Sequence, residues 1–152
     1  MNLIINLVRT VFDKLDDIGA YIAMLPLRLL LAWEFWESGV EKFNGENWFT
    51  QIQGDFPFPF NVIPTDISWF ISTWAELLGA IALVVGLGTR FTAVTLIILD
   101  IVAWASVHAD HGYNVCSNGF KLPLMYLMML IPLLLSGPGK ASLDALIRQR
   151  LR

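Results

Sequence analysis

Ionisable side chains set inside apolar stretches are the residues of this chain that could do chemistry. Arg28, Glu34 and Glu37 interrupt LPLRLLLAWEFWESGVEKFNGENW (residues 25–48), Glu76 sits in WAELLGAIALVV, and Asp100 sits in FTAVTLIILDIVAW. A charge at bilayer depth is costly, so it faces the protein interior and marks a pair, a path or a site. Counting helices from Gly19, Ile67 and Arg90 places Arg28, Glu76 and Asp100 about 13–15 Å into a membrane, in one layer drawn from three helices. The expectation is that Arg28 neutralises Glu76 or Asp100 and locks the bundle, because burying either alone costs several kcal/mol. One cation against two carboxylates leaves one of them to hold a proton, to relay it or to bond a carbonyl of a bound quinone.

Polar residues continue beyond that layer. Glu34, Glu37 and Glu41 recur at i, i+3 and i+7 on one helix face, and Asp100, Trp104 and His108 recur at i, i+4 and i+8 on another. The second face runs into HADHGYNVCSNGF, which brings His108, His111 and Cys116 close in sequence. Imidazole and thiolate ligate zinc and copper, so these three are the candidate metal ligands, with Met125, Met128 and Met129 nearby in the chain. No CxxC or HxxxH pattern supports them. Interfacial histidines with satisfied hydrogen bonds and methionines in a core are the competing reading. A pump or channel has less support, since the chain shows no inverted repeats or broken helices.

The elements that must hold these residues follow from composition. Of 152 residues 56% are hydrophobic and only 15% charged, with mean hydropathy +0.61. Soluble domains carry about a quarter charged residues, so this is the composition of a membrane protein. The length suits one domain over 1–152. The net charge of -3 argues against a nucleic-acid partner, and a single cysteine permits no internal disulfide.

Four apolar segments, about 18–40, 67–87, 91–107 and 120–136, predict an all-α, up-down-up-down, membrane-embedded four-helix bundle. The N-terminus lacks the layout of a cleavable signal. Ile4, Leu7, Val8, Val11, Phe12 and Leu15 recur there at helical spacing, as in a short amphipathic helix on the membrane surface or an extension of the first span. At the other end SGPGKASLDALIRQRLR predicts a break at Gly137–Gly139 and a short amphipathic helix with Ser142 as N-cap. Its Arg148, Arg150 and Arg152 suit anionic lipid. The termini and the Gly86–Arg90 turn share one side, with Arg9, Lys14, Arg90, Lys140, Arg148, Arg150 and Arg152 against Lys42 and Lys121 opposite. That bias predicts cytoplasmic termini and outward loops at 41–66 and 108–119. The first of these is rich in Trp48, Phe49, Phe56, Phe58, Phe60 and Trp69 and broken by Pro57, Pro59 and Pro64, as in a structural cap or a lid.

LRLLLAWEFWESGVEK (Arg28, Gly39, Lys42), WAELLGAIALVVGLGTRFTA (Glu76, Gly79, Gly86, Arg90) and LLSGPGKASLD (Gly137, Pro138, Gly139, Leu143, Asp144) together resemble the DoxX family. Its members are small four-helix proteins of the bacterial cytoplasmic (inner) membrane, and the resemblance covers Leu25 to Leu146. Where the family opens its fourth helix with Gly-Asn-Glu, this chain has Asn118-Gly119-Phe120-Lys121 and lacks the acid. More narrowly, WEFWESGVEKFNGENWF, FPFPFNVIP and VHADHGYNVCSNGFKL resemble the DoxX-like (HvfX-type) proteins associated with copper-binding, ribosomally made modified peptides. That resemblance implies an accessory role in maturation, handling or copper loading of such a peptide. Glu34, Glu37, His108, His111 and Cys116 would then form an outer polar site over Arg28, Glu76 and Asp100. The alternative is a membrane subunit of a quinone-linked oxidoreductase in sulfur, thiol or oxidative-stress chemistry. Copper and quinone are the two candidate cofactors. The implied partners are the bilayer, a modified copper-binding peptide with its maturation proteins, and a second copy if Gly79 and Gly86 let helices of two subunits approach.

Overall fold

The computed structural model describes residues 2–151, with side chains from Ile4 onward. The described residues form seven α-helices: α1 (Asn2–Ile22), α2 (Leu25–Asn44), α3 (Phe49–Ile52), α4 (Thr65–Val85), α5 (Thr89–Ala103), α6 (Lys121–Ser136) and α7 (Leu143–Arg150). The described residues contain no strand. Short 3₁₀ turns fill the two long connections, and α5 runs on through a π-helical stretch, Trp104–His108.

The boundaries follow local chemistry. Pro26 lies in the first turn of α2, where a missing N–H is harmless and its fixed φ favours the helix. Gly86 ends α4 at φ +71° and Gly88 opens α5 at φ +58°, so two glycines make the reversal that side chains resist. Ser142 Oγ accepts from the Ala145 N–H (3.2 Å) and caps α7, as its position predicts.

Helices α2, α4, α5 and α6 form the bundle, α2 lying along α4 and α5 along α6. The core gathers Leu31, Ala32 and Phe35 from α2, Ala80 and Leu83 from α4, Ala93 and Leu96 from α5, and Leu130 and Leu133 from α6. It fills the half of the bundle next to the Gly86–Gly88 turn, here called the turn end. The opposite half, the loop end, holds polar residues. Outside, Leu29, Trp33, Phe70, Ile81, Phe91, Ile101, Met128 and Leu135 make an exposed apolar girdle. Such a surface belongs against lipid. Ile4–Asn44, Thr65–Val85 and Thr89–His111 are long and apolar enough to cross a membrane, and α6 is a shorter apolar helix beside them.

Three sequence expectations shift. Where one helix is expected from about residue 18, the chain turns at Ala23–Met24 and the bundle helix α2 begins at Leu25. The third span, expected over about 91–107, starts at Thr89, and its last part, Trp104–His108, is π-helical. The N-terminal amphipathic helix is long, at 21 residues, and exposes Ile4, Leu7, Val8, Val11, Phe12 and Leu15. It meets the remainder near its own C-terminus, where Lys140 N–H donates to Ala20 O (2.9 Å) and Lys140 Nζ lies 5.2 Å from the Tyr21 ring centre.

Candidate functional site: a cavity at the loop end

Arg28 leaves the expected charged layer. The late start of α2 puts it in the first turn of that helix, at the turn end, 1% exposed. Its Nε donates to Leu83 O (2.7 Å), Nη2 to Val84 O (2.7 Å), and Nη1 to Ala141 O (2.8 Å) and Pro138 O (3.2 Å). The guanidinium thus satisfies the orphan carbonyls at the end of α4 and meets the negative end of that helix dipole. It pairs with neither Glu76 nor Asp100. A Cβ on Gly86 would lie 2.6 Å from Arg28 Nη2, so the close approach requires glycine there. Asp144 completes the arrangement by accepting from the N–H groups of Gly88 (2.8 Å) and Thr89 (2.9 Å) at the start of α5.

Glu76 pairs with Lys42. Lys42 Nζ lies 2.9 Å from both carboxylate oxygens and 2.8 Å from Ser38 Oγ, so all three ammonium protons have acceptors. The side chains are 13% and 2% exposed, and helix approach holds them there: a Cβ on Gly39 would meet Leu77 at 2.9 Å. Across the bundle, Tyr126 of α6 donates to Glu34 Oε2 at 2.6 Å. Asp100 is 4% exposed, and its Oδ2 has no hydrogen-bond partner.

These groups surround one space. A cavity of about 580 Å³ lies between α2, α4, α5 and α6 at the loop end. Glu34, Glu37, Ser38, Glu41, Lys42, Glu76, Asp100, His108 and Tyr126 contribute its polar wall, and Phe35, Ile71, Ile98 and Leu99 are among its apolar residues. Trp48, Phe49, Phe56 and Phe60 from the first long connection form the roof. A largely apolar hollow of a few hundred Å³ with a few convergent polar groups is the usual form of a small-molecule site.

The sequence matches known proteins along most of its length. Residues 23–109 match the DoxX family, and an uncharacterized protein of Haemophilus influenzae is 54% identical over 136 residues, 90% of each chain. The chain belongs to the DoxX family. No solved structure matches it. The residues on which the DoxX resemblance rests collect in two places. Arg28, Gly86, Pro138 and Asp144 meet at the turn end, with Arg90 Nη2 donating nearby to Leu135 O (3.1 Å), while Gly39, Lys42 and Glu76 stand at the cavity wall.

Of the residues singled out by pattern, Glu34, Glu37, Glu41, Glu76, Asp100 and His108 reach the cavity, and Arg28 does not. His108, His111 and Cys116 separate. A carbonyl can only accept, so His108 Nδ1–H donates to Asn118 O (2.7 Å); His111 and Cys116 are exposed in the loop. No group of three or more His, Cys, Asp or Glu among the described residues is placed to hold a metal ion. Met125 and Met128 face outward and Met129 joins the core. Pattern reading missed Lys42 and Tyr126 as site residues. Lys42 lies one turn beyond Ser38 on α2, and Tyr126 is the one hydroxyl-bearing residue between Lys121 and Ile131.

Proposed function

We propose that this DoxX protein is a multi-pass, single-domain accessory subunit of the bacterial inner membrane, and that its cavity receives a quinone head group for a partner oxidoreductase. The observation that carries the reading is Asp100, buried on the wall of an apolar cavity with one carboxyl oxygen unpartnered. An unmade hydrogen bond of that kind costs about 1–3 kcal/mol, and a ligand atom would restore it. A quinone offers a flat apolar ring and two carbonyl acceptors. In its acid form Asp100 donates to one of them, and Ser68, whose Oγ is likewise buried, unpartnered and on the wall, supplies a second donor. The Lys42–Glu76–Ser38 group fixes the opposite wall.

Quenching of tryptophan fluorescence in the detergent-purified protein tests this. A benzoquinone titration should saturate, and Asp100→Leu should weaken binding about tenfold, the worth of one buried hydrogen bond. Linear quenching without saturation in the wild type defeats the reading.

A second reading keeps the protein as an accessory to a copper-binding modified peptide. What favours it is that the three stretches resembling that DoxX group supply Trp48 and Phe49, Phe56 and Phe60, and Val107 and His108 to the cavity and its roof. Here Glu34, Glu37, His108, His111 and Cys116 act with ligands from the peptide. Copper analysis of the purified protein with the peptide, beside His108→Ala and Cys116→Ser, decides it: copper retention indifferent to both substitutions removes those ligands.

A further inference from the structure

The cavity is roofed by packed aromatic rings toward the loop end and opens more widely sideways. In its roof, Trp48, Phe49, Phe56 and Trp69 interlock edge to face with ring centres 5.0–6.0 Å apart, and Phe56 is 5% exposed. Polar bonds pin that roof: Asn47 Nδ2 donates to Asp66 Oδ1 (2.8 Å), and Gln53 Nε2 to the carbonyls of Ile63 (3.2 Å) and Asn61 (3.3 Å). Aromatic pairs of this geometry add to the burial that already holds the roof down.

The flank between α4 and α5 is different. Ile71 and Ile98 line the cavity, yet they are 57% and 46% exposed on the lipid-facing surface. A side chain that lines a hollow and also faces outward stands at its mouth. The two helices touch near the turn, where a Cβ on Gly79 would lie 3.3 Å from Leu96. One turn beyond, Ala75 borders the hollow with a single methyl group. The mouth asks nothing of water, because Thr95 Oγ1 donates to Phe91 O within its own helix (3.1 Å).

We propose that the cavity is loaded from the bilayer: a lipid-tailed quinone enters between α4 and α5, its head group beside Asp100 and its tail across Ile71 and Ile98. This rests on the quinone reading and adds a route and a requirement for the tail. An apolar mouth at membrane depth admits a hydrocarbon chain without exposing unsatisfied backbone, which both flanking helices keep bonded internally.

The test uses full-length protein in lipid vesicles, with Cys116→Ser, Ile71→Cys and Ile98→Cys, before and after bridging the new thiols with a bis-maleimide. Quinone binding is read by tryptophan quenching. Bridging should weaken a long-tailed quinone by at least about tenfold, while a tail-less benzoquinone, small enough to pass the roof edge, binds as before. Unchanged binding of the long-tailed quinone overturns the portal and leaves the quinone site standing. Equal loss of both quinones also overturns it, because discrimination by the tail is the claim. Binding of neither by the unbridged protein defeats the function reading and this proposal together.

Discussion

Arg28 shows how one charge is tolerated at the edge of a bilayer without a counter-charge in contact. Four backbone carbonyls take its protons, a geometry that a planar five-donor fork meets and a lysine does not. Arg28→Lys should therefore lower stability in detergent by ~2 kcal/mol or more, measured as a fall in thermal midpoint. Lys42 and Glu76 behave differently, as a true ion pair. Lys42→Met alone should cost about 3–5 kcal/mol by leaving Glu76 buried and unpaired, while Lys42→Met with Glu76→Leu costs less than either single change. Denaturant unfolding of the four proteins in the cycle checks this. That Glu76 and Asp100 face the interior was legible from charge alone. Their partners were not, because depth depends on where each helix begins. Starting α2 at Leu25 instead of Gly19 moves Arg28 by six residues, ~9 Å, and out of the layer. Pro26 was the signal for that start.

Among the elements, the Gly86–Leu87–Gly88 reversal is the least replaceable. Gly86→Ala meets a left-handed backbone and a clash with Arg28 and Ser142, and should cost at least ~1 kcal/mol in the same melts. Helix α1 is the most dispensable to the bundle, since its contacts cluster around Ala20 and Tyr21. Removing residues 2–17 should shift the melting temperature by only a degree or two, while reducing retention on vesicles. The four bundle helices were legible as apolar segments because large apolar side chains dominate their exposed faces. The π-helical stretch Trp104–His108 was not, since nothing local in WASVH departs from an α-helical pattern. It closes with His108 bonded to Asn118 and so fastens the second loop to α5.

At the scale of the whole molecule, the roof, the walls and the hollow come from segments scattered from Glu34 to Tyr126, and only their packing makes a site. The aromatic richness of residues 48–69 announced a cap; the volume beneath it had no signature in sequence. Orientation is testable directly. With the loop end outward, exposed Cys116 should react with a membrane-impermeant maleimide added to intact spheroplasts, and labelling only after lysis would reverse the topology.

The contacts of Arg28 also set an order of events during synthesis. Leu83 and Val84 are available once the first helical hairpin inserts, but Pro138 and Ala141 emerge only after α6 has been made. Until then a guanidinium at the membrane boundary is half satisfied and the hairpin remains provisional. A chain truncated after Ser136 keeps every spanning helix yet loses two of the four acceptors and the Asp144 cap. Such a truncation should be cleared by membrane quality control within minutes, visible as a short pulse-chase half-life, whereas truncation after Gln149 should persist like the full chain. The segment after α6 thus completes a contact that the first bundle helix opens.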